Sequence, residues 1–135
     1  MDFSGALTQR GNILHSYEFE GIDHGKFFVI IGEDDNNYVG FFFINTNINI
    51  SIKKIDEFYK MQMLVKKQNY SFLKHNSYIG AHEISLIEKS KLKRQINKGL
   101  AIFKDRLTKD DTELLLESLR NSDLYSEHEK NTFFK

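Results

Sequence analysis

The chain has 135 residues, no cysteine, and nineteen basic residues balanced by nineteen acidic ones. That length suits one domain with its own core, and a hydrophobic fraction of 40% excludes global disorder. The missing cysteine excludes disulfides, zinc–thiolate sites and thiol nucleophiles, while charge neutrality leaves only local patches to attract nucleic acid.

No stretch approaches the ~20 apolar residues of a membrane span. The start, "MDFSGALTQRGN", lacks the basic-then-apolar order of a signal peptide. The expectation is a soluble, cytoplasmic protein without a membrane partner.

In chain order, residues 1–10 read as an N-terminal extension, 11–121 as one folded domain and 122–135 as a polar, loosely held tail. Residues 12–20, "NILHSYEFE", partly alternate and predict a half-buried strand. "GIDHG" is a loop. Residues 27–31, "FFVII", are apolar on both faces and predict a central strand. "GEDDNN" is a hairpin connection, and 38–44, "YVGFFFI", a third strand with Gly40 at a bulge or a close backbone approach. The asparagines of "NTNINI" break the pattern, and 53–60 predict a short helix. Residues 61–66 and 70–74 read as a hairpin around "KQN", and 78–87 as a further strand. The period then becomes helical. Leu92 and Ile96 precede a stop at Gly99; Leu100, Phe103 and Leu107 sit at helical spacing; Asp110 or Asp111 caps a leucine-rich final helix. Short strands followed by a helix predict a mainly β domain, a small, strongly curved β-barrel with a C-terminal helix.

The chemistry-bearing signals are sparse. None of the five histidines has metal-ligand spacing. His82 and Glu83, adjacent on a predicted strand, face opposite ways. GxSxG, GxGxxG and GxxxxGK are all absent. The loops offer three polar clusters: His24-Gly25-Lys26, Asn45-Thr46-Asn47 and Lys74-His75-Asn76-Ser77. If the second and third strands are antiparallel neighbours, Lys26 and Thr46 lie at one rim, where a cation, a hydroxyl and amides suit an anionic group such as phosphate.

The order of these features resembles the MazF/PemK-like toxins of type II toxin–antitoxin systems. Gly11-Asn12-Ile13 echoes that family's opening "GDI", and Gly25-Lys26-Phe27 through Ile31 echoes its glycine–arginine–proline loop and following apolar run. Ile44-Asn45-Thr46 echoes its "I-T" turn with one residue interposed, and Leu73 through Ile79 its "L-x-x-x-S-Y/F-v" segment. The end of the similarity lies in Leu92 to Leu119. Lys26 stands where the family carries its catalytic arginine, and Phe27 where it carries proline.

The resemblance implies an SH3-like barrel that forms a homodimer, is masked by a cognate antitoxin, and cleaves single-stranded mRNA without metal or cofactor. In that reaction the 2′-hydroxyl attacks the adjacent phosphate. It implies Lys26, Thr46 and His24 as catalytic residues, and Asn45, Asn47, His75 and Ser77 as substrate-binding. A lysine titrating near ~10.4 is a poor base unless its surroundings lower it, whereas an imidazole near ~6.5 suits proton transfer. Tyr17, Tyr38 or Tyr78 would stack on bases. Two other classes fit the same residues: a non-catalytic protein- or RNA-binding module on the same barrel, and a regulatory protein dimerising through its leucine helix.

Overall fold

The β-branched and aromatic run after Lys26 cannot be left in water on either side, and the chain buries it between neighbours on both faces. The computed structural model describes residues 4–17 and 25–135. Within them are seven strands: β1 (Asn12–Ser16), β2 (Lys26–Glu33), β3 (Tyr38–Asn45), β4 (Gln62–Val65), β5 (Ser77–Gly80), β6 (Ser85–Glu88) and β7 (Ala101–Arg106). All pair antiparallel in the order β4-β5-β3-β2-β1-β7; β6 lies beside the first half of β3, while β5 lies beside its end. Among the described residues β4 and β7 do not pair with each other, so the sheet is open. The domain is mainly β. The predicted strand over 12–20 is seen as far as Ser16, and its residues 18–20, like the 21–24 loop, lie outside the described residues.

Two apolar clusters use alternate residues of the same strands. Ile13, Val29, Ile31, Phe42 and Ile44 point to one face, and Leu14, Phe28, Ile30, Phe41 and Phe43 to the other. The first face is covered by α5 (Lys109–Arg120) and α6 (Glu127–Phe133), through Leu115, Leu119, Phe133 and Phe134. The second is covered by α4 (Lys89–Asn97) through Leu92 and Ile96. β2 is therefore central, as its composition predicts. Gly40 is also where a close approach is needed: a Cβ there would meet Ile84 Cδ1 at 2.7 Å and Phe133 Cδ1 at 3.0 Å.

Several expectations are corrected. Residues 70–74 form no strand, because Tyr70 turns inward and its hydroxyl donates to Asp111 Oδ2 at 2.5 Å while accepting from Thr108 N at 3.1 Å. The partner of β4 is β5. The strand predicted over 78–87 is two strands separated by a turn, and His82 and Glu83 sit in that turn. Leu100, Phe103 and Leu107 mimic helical spacing, yet Gly99, with φ 75°, reverses the chain and 101–106 pairs with β1 as an edge strand. The cap of α5 is Thr108, whose hydroxyl accepts from Asp111 N; Asp110 and Asp111 occupy the first turn, where their charge favours the helix dipole. The short helix expected near 53–60 is two turns, Ile50–Lys53 and Asp56–Tyr59.

The tail is not loosely held. Ser126 and Glu129 form a reciprocal capping box that starts α6. Arg10 donates to the carbonyls of Ile31, Phe133 and Lys135, and Arg120 donates to that of Phe134. Tyr125, Phe133 and Phe134 are all core residues. No helix among the described residues is long and apolar enough to cross a membrane.

Candidate functional site

The antiparallel register of β2 and β3, Phe27 opposite Ile44, does bring Lys26 and Thr46 to one rim. Strand alternation then separates them. Phe27 and Ile44 belong to the first face, so Lys26 and Asn45 leave on the second, and Thr46 returns to the first. Two pockets result, one on each side of the sheet.

The first-face cleft has a volume of about 380 Å³ and gathers three segments. His15 comes from β1, Thr46 from just past β3, and Lys74, His75 and Ser77 from the loop before β5. Phe27 and Phe72, 4.9 Å apart between centroids, form its apolar wall. His15 pairs in register with Phe27 and packs on it with ring centroids 4.6 Å apart; Tyr17 meets the imidazole edge-on at 4.8 Å. Gly25 lets the ring sit directly on the backbone, since a Cβ there would collide with the imidazole. Burial, and secondarily the positive charge of Lys104, hold the His15 imidazole below its ordinary range. The lowered value favours the neutral form of His15, which can accept a proton.

The loop that carries Lys74 and His75 is tied down at both ends. Tyr70 anchors one side to the N-terminus of α5. Asn76 Oδ1 accepts from Lys67 N at 2.9 Å. Ser77 is buried, and its hydroxyl donates to the carbonyl of His75 at 3.0 Å, so it shapes the loop. Thr46, Lys74 and His75 are exposed in the cleft.

On the second face, Lys26 Nζ donates to Oδ1 of Asn45 and lies 5.5 Å from the centroid of Phe43. Burial lowers the lysine from its ordinary value, the direction needed for a base, but its contacts are with an amide and a ring. Asn45 and Asn47 line a pocket of about 450 Å³ with Gln62 and His82.

Of the sequence-predicted residues, the structure thus groups Thr46, His75 and Ser77 in one cleft, and Lys26, Asn45 and Asn47 on the opposite side. His24 lies outside the described residues. His15, Gln62 and His82 were not expected at a site. His15 was legible in part, because it shares the parity of Ile13 on a strand whose neighbour begins just after Gly25. Among the described residues no group of three or more histidine, aspartate or glutamate side chains could hold a metal ion.

Fold and site together define a small antiparallel β-sheet protein with an imidazole-bearing polar cleft at one rim and an amide-lined pocket behind it. No protein-family model matches the sequence, and no curated protein matches it significantly.

Proposed function

We propose that the first-face cleft binds single-stranded RNA and cleaves it without a metal, through attack of a ribose 2′-hydroxyl on the adjacent phosphate. The observation that carries this reading is the convergence of His15, His75, Lys74 and Thr46 in one cleft walled by aromatic rings. A neutral imidazole takes the 2′-hydroxyl proton, and the 2′-oxygen bonds to phosphorus. The bond from phosphorus to the 5′-oxygen breaks, and a protonated imidazole supplies the proton to that oxygen. The products are a 2′,3′-cyclic phosphate and a 5′-hydroxyl. His15, with its lowered pKa, takes the base role, His75 the acid role, and Lys74 and the Thr46 hydroxyl stabilise the charged phosphorane. Phe27, Phe72 and Tyr17 offer faces for base stacking.

This reading carries with it what the resemblance to MazF/PemK-like toxins implies: the curvature of an SH3-like barrel, a homodimer, a cytoplasmic setting and a cognate antitoxin. It transfers the catalytic weight from Lys26 to the imidazoles, leaving Thr46 in place. The orientation of Lys26 away from the cleft also favours a second reading, a non-catalytic RNA- or protein-binding module on the same fold.

The test is incubation of the purified protein with mixed-sequence RNA in EDTA, with analysis of the ends. Cyclic-phosphate products that fall about 100-fold or more in His15→Ala and His75→Ala, and persist in Lys26→Ala, support cleavage. RNA bound but never cut makes the protein a binding module.

A further inference from the structure

The second-face pocket is built from groups whose hydrogen-bonding roles are fixed by their neighbours. Lys26 Nζ can only donate, and it donates to Oδ1 of Asn45, so Asn45 turns its NH₂ outward. The carbonyl of Phe58 can only accept, and it takes one proton of Gln62 Nε2 at 2.9 Å. The same amide nitrogen lies 2.9 Å from Nδ1 of His82 and gives it the other proton. Gln62 keeps Oε1, an acceptor. His82, accepting at Nδ1, carries its proton on Nε2 and offers a donor. Its burial lowers the imidazole, outweighing the opposite pull of Glu83, and so preserves that neutral tautomer.

Three groups of the pocket thus have fixed roles, two donors and one acceptor, beside the amides of Asn47 and Asn49. Ile48 and Ile52 supply apolar wall.

We infer that this pocket reads one uracil base, its pairing edge set against Asn45 Nδ2, Gln62 Oε1 and His82 Nε2, the acceptor between the two donors. Uracil runs acceptor, donor, acceptor along that edge and complements donor, acceptor, donor; cytosine runs donor, acceptor, acceptor and sets a donor against a donor. Guanine carries one acceptor and two donors, and adenine one of each, so a purine leaves a donor facing a donor or a polar group unpaired. The inference rests on the reading that the protein binds RNA: the strand in the imidazole cleft would pass over the rim and place a base behind it. Lys26 is then a positioning residue. It holds the amide of Asn45 in one orientation.

The experiment measures binding of the intact protein to oligo(U), oligo(C) and oligo(A) of equal length, and to uridine and guanosine monophosphates. The imidazole resonances of His82 are followed by NMR. Oligo(U) should bind about 10-fold more tightly than oligo(C) or oligo(A). Gln62→Leu and Lys26→Met should erase the preference while leaving oligo(A) affinity and melting temperature in place. Lys26→Arg, which also can only donate, should restore it. If all strands bind equally and the variants change nothing, the pocket assignment is overturned and RNA binding stands. If no RNA binds but uridine monophosphate moves the His82 signals, the pocket stands as a free-nucleotide site and the RNA reading falls. Binding of neither strand nor nucleotide overturns both.

Discussion

Phe134→Ala puts the docking of the tail on a quantitative footing. Phe134 is fully buried, with its ring 4.9 Å from Tyr125 in an edge-on pair and 6.2 Å from Phe42. Alanine leaves the backbone carbonyl free to keep its 2.6 Å bond from Arg120 Nε, so the loss is confined to the ring. Removing a buried phenylalanine costs about 3–5 kcal/mol, of which the aromatic pair contributes roughly 0.5–1.5 kcal/mol. Against a typical domain stability of about 5–15 kcal/mol, that is about a fifth or more. At roughly 3–4 °C per kcal/mol for a chain of this size, the melting temperature should fall by about 9–20 °C. Scanning calorimetry measures the fall. Urea titration checks that the midpoint drops while the slope is kept, as expected if the fold is unchanged. A fall of less than about 3 °C would refute the reasoning, because it would mean that the tail contributes little of the packing described.

Three further predictions concern the rim and its supports. Gly25→Ala should cost only about 1 kcal/mol, since the imidazole of His15 can swing away, yet NMR titration should find the His15 pKa returned toward its ordinary value; an unmoved pKa would refute the close packing. Tyr70→Phe should lower stability by about 1–3 kcal/mol by stranding Thr108 N–H and Asp111, and amide exchange in residues 70–77 should speed up; unchanged exchange would show that the loop is held by other contacts. His15 and His82 both have folded pKa values below the ordinary ~6.5, so below that value the unfolded chain binds more protons than the folded one. Their contribution is therefore complete above pH ~6.5 and is lost as pH falls toward the lowered values. Melting temperature measured from pH 7 to pH 5 should decline, and less steeply in a His82→Gln variant.

Much of the sheet was legible because its signals are strong and local. "FFVII" has no polar side to show to water, and "GEDDNN" holds Asn37, whose φ of 69° suits an asparagine in a tight hairpin. The failures have physical causes. "LAIFKDRL" has apolar residues at helical spacing, but Gly99 reverses the chain and the exposed Ile102 and Phe103 follow from an edge strand. The tail was judged by its polarity, although Ser126-Glu127-His128-Glu129 spells a capping box and "FF" follows a turn and a half later. For the site, the meeting of the rim loops followed from antiparallel pairing alone. What pairing by itself did not supply was parity: which side of the sheet each side chain takes. Nor could sequence reveal Gln62 and His82 as partners, because their contact depends on the turn that divides β5 from β6.

The single residue interposed between Ile44 and Thr46 has an effect out of proportion to its size. Along an extended chain the two sides are read like alternate letters, and Asn45 shifts the frame for everything after it. Without that residue a hydroxyl would stand opposite the ammonium of Lys26, and an asparagine would enter the imidazole cleft in its place. The two pockets are therefore not independent inventions on one scaffold. Substitutions can alter either one alone, but an insertion or deletion of an odd number of residues at the end of β3 exchanges the contents of both at once.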